Sequence, residues 1–179
     1  MDYYDKKQFL ALVDREDSVL GKAEKWDAHK KGLLHRGYTV IITHKGKIVL
    51  QHRKHPVFDN VFDLSFSSHQ LYEEDVLQTD EAAIYEGLRR EWGMEREDIE
   101  SPPKFLKTIY YRAEDPRSGY IEHEIDYIFQ VEALKTPAAS ADFAYGFRLV
   151  EKPALLTGDI RLPSPFAPWV KTLLEEHII

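Results

Sequence analysis

The chain of 179 residues has no cysteine. That excludes disulfides, a thiolate metal site and a thiol nucleophile. The lack of disulfides fits a cytoplasmic protein. Positive charge is also short, with 24 Lys and Arg against 31 Asp and Glu and a net charge of -7. A non-specific nucleic-acid binder needs a basic surface to neutralise phosphates, so that class is disfavoured. A local basic pocket for a small phosphate ligand is compatible with the same balance. No apolar run is long enough for a transmembrane helix, and the acidic first residues do not read as a signal peptide, so no membrane partner is expected. Internal repeats and low-complexity segments are missing too. What remains is 43% hydrophobic and rich in Tyr and Phe, enough for the core of one ordinary domain spanning 1–179. No motif speaks to oligomeric state.

The informative stretch is 63–93, DLSFSSHQLYEEDVLQTDEAAIYEGLRREWG. A short apolar run, Leu64 to Phe66, leads to Ser67-Ser68-His69. After a polar loop, Thr79 or Asp80 caps an amphipathic helix that Gly93 stops. Ile84, Leu88 and Trp92 fall four apart and predict its buried face. Glu91 lies on the neighbouring face with Ala83 and Gly87, where small residues let the backbone approach another element. An acidic residue ending a helix beside a His-bearing strand suggests a metal–phosphate site, a weak signal alone.

Around this unit, Tyr4 to Asp14 reads as a short helix or a strand. Asp14 to Asp17 reads as a turn, and Glu24 to Lys31 as a polar helix. His35 to Thr43 and Lys47 to Gln51 predict a hairpin about a Gly-containing turn, followed by a loop over 53–60. Phe105 to Ala113 and Tyr120 to Val131 predict a second strand pair around the turn Asp115-Pro116-Arg117-Ser118-Gly119. Period-two alternation puts Glu122, Glu124 and Asp126 on one face. A solvated strand face accounts for such carboxylates more often than a site does. Lys135 to Asp142 reads as a loop and Phe143 to Val150 as a strand. Ser164-Pro165 predicts the start of a last helix, with Phe166, Trp169, Val170, Leu173 and Leu174 as its buried stripe. Strands and helices mix without regular alternation, which indicates an α+β fold with a mixed sheet flanked by helices.

Several segments in order resemble the type 1 isopentenyl-diphosphate isomerases of the Nudix superfamily. They are EKWDAHKKGLLHRGYTV, IVLQHR, SSHQ, REWG, YYRAEDPRSGYIEHEIDYIF and FAPW, and the likeness runs from about 12 to 174. The resemblance implies a Nudix fold and a metal shell at His29, His35, His69, Glu122 and Glu124. Hard carboxylate oxygens with imidazoles suit Mg or Mn, with Zn compatible. It further implies Glu91 as holder of a second, substrate-bound Mg, and Lys25 and Arg53 as ligands of a small diphosphate. A further basic ligand of the family falls on Gly87, for which Arg89, Arg90 or Lys54 are the possible substitutes. Glu124 and Tyr111 take the place of the proton-transfer pair on one face of the alkene.

Two departures stand out. The family's catalytic Cys position is Ser67, and its cation-shielding Trp position is Ser164. A serine hydroxyl without a partner is a poor base, so an isomerase of altered chemistry is expected. Trp26, Trp92 and Trp169 read as core packing. The alternatives are a pyrophosphohydrolase and a non-catalytic diphosphate binder. The hydrolase pattern fits less well, because in EGLRREWG only Glu91 is in register.

Overall fold

The computed structural model describes residues 3–179. A short 3-10 turn at Tyr3–Asp5 precedes strands β1 (Phe9–Val13) and β2 (Val19–Glu24), helix α1 (Lys25–Lys31), and strands β3 (His35–His44) and β4 (Lys47–Arg53). Three short strands follow: β5 (Phe62–Asp63), β6 (Phe66–Ser68) and β7 (Tyr72–Glu73). After β8 (Val76–Leu77) come α2 (Asp80–Trp92), β9 (Lys104–Glu114), β10 (Ile121–Glu132), β11 (Ala144–Glu151), α3 (Lys152–Thr157) and α4 (Pro168–Glu175).

Strand β3 is the hub of the sheet. It pairs antiparallel with β1 at one end, β6 in its middle and β4 at the other end. Along its opposite edge it pairs parallel with β10, in register from Glu124–His35 to Glu132–Thr43. β10 then pairs antiparallel with β9, and β11 closes the other side on β4. The sheet is therefore mixed, as the sequence indicates.

Alternation along β3 divides two cores. Tyr38, Val40 and Ile42 pack under α2 with Ile84, Leu88 and Trp92. Ile41, together with Ile109 and Tyr111 of β9 and Ile128 of β10, packs against Trp169, Val170 and Leu173 of α4. Glu122, Glu124 and Asp126 share the parity of Ile128 and so point to the α4 side. All three are buried, which overturns the solvated strand face expected from composition.

Helix α2 forms where expected, with Thr79 as its cap and Ala82 N–H donating to its hydroxyl at 3.2 Å. The last helix does not. It starts at Pro168 with Ala167 as N-cap, not at Ser164-Pro165. The intervening residues are used as an extended segment instead: Phe62 N–H donates to Pro165 O and Ala167 N–H to Phe62 O, at 2.8 and 2.9 Å. Phe166 and Leu174 are only half-buried, so the apolar stripe narrows to Trp169, Val170 and Leu173. Strand β2 and helix α3 escape the sequence pattern, because their residues are largely exposed and carry no periodic apolar signal.

Candidate metal centre

Four elements bring five ligand-type side chains together. α1 carries His29, the first residue of β3 is His35, the residue after β6 is His69, and β10 supplies Glu122 and Glu124. One ligand atom from each lies within 4.8 Å of all the others, and all five residues are buried. Sheet register explains part of this. Glu124 pairs with His35 across the parallel ladder and with Tyr111 across the antiparallel one. Three neighbouring strands therefore present His35, Glu124 and Tyr111 side by side.

Hydrogen bonds set the tautomers. His29 Nδ1 donates to Lys25 O and His35 Nδ1 to Leu33 O, each at 2.7 Å. Those carbonyls only accept, so the protons sit on Nδ1 and both Nε2 atoms turn lone pairs inward. His29 Nε2 faces Glu122 Oε2 at 3.0 Å, and His35 Nε2 faces Glu124 Oε1 at 3.3 Å. None of His29 Nε2, His35 Nε2 and Glu122 Oε2 has a hydrogen-bond partner, although all are fully buried. Lone pairs forced this close in a dry site repel one another, and a cation between them removes both the repulsion and the unmet demand. The donor set of three imidazoles and two carboxylates fits a divalent ion.

Glu124 is held from both sides. Tyr111 OH donates to its Oε2 at 2.6 Å, and His69 Nε2 meets its Oε1 at 2.8 Å. Burial works to raise the Glu124 pKa, but hydrogen bonds from His35 and His69, made when those rings carry a proton on Nε2 where the ion would otherwise sit, hold it well below the usual carboxylate range. Burial, then the Glu124 charge, pushes the Tyr111 hydroxyl well above the ordinary phenol value. Burial brings His69 down to about 4, against the pull of Glu124. For His29, burial favours the neutral ring, yet Glu122 outweighs it and the pKa rises. Gly37 is part of the same design. A Cβ there would lie 2.6 Å from Glu124 Oε2, so the carboxylate occupies the space a side chain would fill.

Beside the cluster lies a small chamber with about 20 Å³ of free volume, room for about one water. Of the expected residues, Lys25, Arg53, Ser67, Glu91 and Tyr111 line it together with Glu122, Glu124 and His69. Glu91 stands outside the five-ligand set and accepts from Gln51 Nε2 at 3.1 Å and Arg90 Nη2 at 2.9 Å. Arg53 Nη1 pairs with Asp63 at 3.3 Å behind the chamber. Lys25 is buried with its ammonium near the rings of Tyr3, Tyr4 and Trp26. Burial, then Arg90, lowers it to about 8.

Ser67 is not an isolated hydroxyl. It lies 2.8 Å from Thr39 Oγ1, which donates to Asp126 Oδ2 at 2.9 Å. Ser164 is outside the chamber, where its hydroxyl donates to Asn60 Oδ1 at 3.2 Å. The aromatic face in the chamber is instead Trp169, tilted against Tyr111 at 5.6 Å with its Nε1–H on Asp63. Trp169 thus serves the core and the chamber together, and Trp92 serves the core alone.

Sequence reasoning missed Tyr3, Tyr4 and His55, which also line the chamber. Tyr3 and Tyr4 separate it from an open groove of about 980 Å³ lined by Lys6, Lys54, Arg89 and Phe143 among others. Their only sequence signal is the aromatic pair itself. No helix among the described residues is long and apolar enough to cross a membrane.

No protein-family model matches the chain. Among curated proteins, it is 28% identical over 170 residues to isopentenyl-diphosphate Delta-isomerase 2 of Photorhabdus laumondii, covering 93% of this chain and 90% of that one. It is 29% identical over 194 residues to isopentenyl-diphosphate Delta-isomerase 1 of Mesocricetus auratus, covering 96% and 82%. Among solved structures it matches a Deinococcus radiodurans protein with a TM-score of 0.69 at 16% identity, covering 94% of this chain and 98% of that one. A MutT Nudix hydrolase from Burkholderia pseudomallei matches with a TM-score of 0.58 at 19% identity, covering 79% and 96%. The chain has the Nudix fold, and over more than nine-tenths of its length it is similar to isopentenyl-diphosphate isomerases.

Proposed function

We propose that this protein is a divalent-metal-dependent enzyme that moves the double bond of a small allylic or homoallylic diphosphate. The observation that carries the reading is the buried cluster of three His and two Glu with the Tyr111–Glu124 pair built into it. His29, His35, His69, Glu122 and Glu124 hold the ion, with Mn the best fit to this mixed donor set and Mg and Zn compatible. A bound divalent ion supplies fixed positive charge that makes proton release from neighbouring groups easier. Lys25 and Arg53 bind the diphosphate, and Glu91 holds the Mg that accompanies it.

The reaction adds a proton to one alkene carbon, which leaves the cation on the other, and removes a proton from the carbon next to that cation; the diphosphate is untouched, so no phosphate is lost. Glu124 with Tyr111 serves one face of the alkene. Ser67 serves the other, partnered through Thr39 to Asp126. Trp169 and Tyr111 wall the space between. Proton transfer by positioned groups is the main chemical demand, and a hydroxyl is a weaker acceptor than a thiolate. Turnover is accordingly slow.

The hydrolase reading loses ground on one point. Glu86, the other acidic residue in this part of α2, accepts from Gln78 at 2.8 Å and lies in the outer groove, away from the chamber. That leaves Glu91 as the helix carboxylate available there.

Incubation with isopentenyl diphosphate and Mg in deuterated water tests the proposal, with proton exchange followed by NMR and phosphate release measured in parallel. Deuterium should enter the isomeric product without phosphate release, faster in Ser67→Cys and not at all in Glu124→Gln. Phosphate release without exchange makes the protein a hydrolase. Affinity with neither product makes it a binder.

A further inference from the structure

Position 87, where a basic ligand is expected, has no room for one. A Cβ at Gly87 would lie 2.5 Å from Phe66 Cε2 and 2.9 Å from Tyr38 OH, both side chains being fully buried in the core under α2. The helix meets the sheet here, so the position faces protein and not the chamber. Three residues further along, the side chain returns to the flank of the helix beside the chamber. That residue is Arg90.

Of the three possible substitutes, two are engaged elsewhere. Arg89 is exposed and makes a two-pronged pair with Glu95 at 2.9 and 3.1 Å. Lys54 donates to Ala141 O at 3.0 Å and lines the outer groove. Arg90 borders the outer groove too, but of the three it alone also lines the chamber. Its Nη2 reaches Glu91 Oε1 at 2.9 Å and Ser68 Oγ at 3.1 Å, while its Nε–H is buried without an acceptor. The ring of Tyr3 lies 4.3 Å from the guanidinium carbon. An aromatic face is a weak partner for a guanidinium, which is shaped to donate parallel hydrogen bonds to phosphoryl oxygens.

We propose that Arg90 binds the anion of this site: with Lys25 and Arg53 it takes phosphoryl oxygens of the diphosphate, in the space that the Tyr3 ring fills here. The proposal rests on the diphosphate reading above. A diphosphate is far larger than the about 20 Å³ now free, so the Tyr3 ring has to give way as the anion enters. Arg90 also lies next to Glu91 in sequence and contact, so one helix end presents a cation to the phosphate and a carboxylate to its Mg.

Calorimetric titration of Mg-pyrophosphate into the full chain tests this. Arg90→Gln should weaken binding roughly 10- to 100-fold, the loss expected of a charge-assisted hydrogen bond. Arg90→Lys should recover part of the loss, and Arg89→Gln should bind as wild type does. Tyr3→Ala, which removes the competing ring, should bind more tightly. Thermal melts confirm that each variant is folded. Arg90→Gln binding at wild-type strength, with Arg53→Gln impaired, overturns the role of Arg90 and leaves the diphosphate reading standing. Unchanged affinity in Tyr3→Ala also counts against it, and does so even if Arg90→Gln fails to fold. Wild-type protein that ignores Mg-pyrophosphate overturns both.

Discussion

Replacing Gly37 by alanine adds one methyl group and removes no ligand, yet it should dismantle the metal site. Gly37 lies within β3 opposite Asp126. The new Cβ would stand 2.6 Å from Glu124 Oε2 and 2.8 Å from Oε1, where ordinary contact begins at 3.4 Å. The carboxylate has to retreat by a large fraction of an ångström. Its partners cannot follow, because Tyr111 is fixed by strand register and His69 by the loop after β6. Each contact so broken is a hydrogen bond to a charged group, worth about 1.5–3 kcal/mol, and overpacking alone costs about 1–3 kcal/mol. We expect a stability loss of roughly 2–4 kcal/mol. Mn affinity should drop by more than the roughly 10–100-fold that follows loss of an outer-shell partner. Calorimetric titration of Mn into metal-stripped protein, with a urea melt, reads both numbers. Wild-type Mn affinity in a folded Gly37→Ala protein would show that Glu124 does not sit where this account needs it.

Gly87→Ala makes a second test of packing. Better helix propensity contributes at most about 1 kcal/mol, less than the overpacking against Phe66 and Tyr38, so the melting temperature should fall; a rise refutes the close approach of α2 to the sheet. Lys25 gives a pH test. Its pKa of about 8 in the folded chain, against 10.5 when unburied, leaves it largely neutral at pH 9. A bound anion raises that pKa, so pyrophosphate binding at pH 9 should take up a proton in wild type and not in Lys25→Met. Calorimetry in buffers of different ionisation enthalpy measures the uptake, and none in wild type counts against Lys25 as a ligand. The same shift means that the unfolded chain holds more protons between pH 8 and 10.5. Lys25 therefore makes stability rise with pH across that window.

Much of the site was legible because it rests on local pattern. Period-two alternation placed Glu122, Glu124 and Asp126 on one face, and the cap and stop of α2 fixed where Glu91 falls. Burial of that carboxylate face was not legible, since three acids in alternation look solvated until α1 is known to pack over β10. Resemblance grouped the five side chains that the fold brings into one cluster. Strand register supplies the physical reason, and register is a long-range property that no single segment encodes. The start of the last helix is not legible locally: Ser164-Pro165 is a strong start signal, but the backbone of Pro165 and Ala167 is claimed by Phe62. Trp169 looked like core because it is core; that it also faces the chamber depends on the angle at which α4 meets β9. Sequence leaves Arg89, Arg90 and Lys54 equivalent as basic neighbours of Gly87; only the fold shows that Arg90 alone of the three reaches the chamber.

If His29, His35, His69, Glu122 and Glu124 form one divalent-metal site, anomalous diffraction at the Mn absorption edge, from crystals grown with saturating Mn, should show it. A strong peak is expected within bonding distance of His29 Nε2, His35 Nε2, His69 and both carboxylates. The same crystals of the His69→Ala variant should show that peak much reduced. Saturating Mn with no peak among these five residues would contradict such a site.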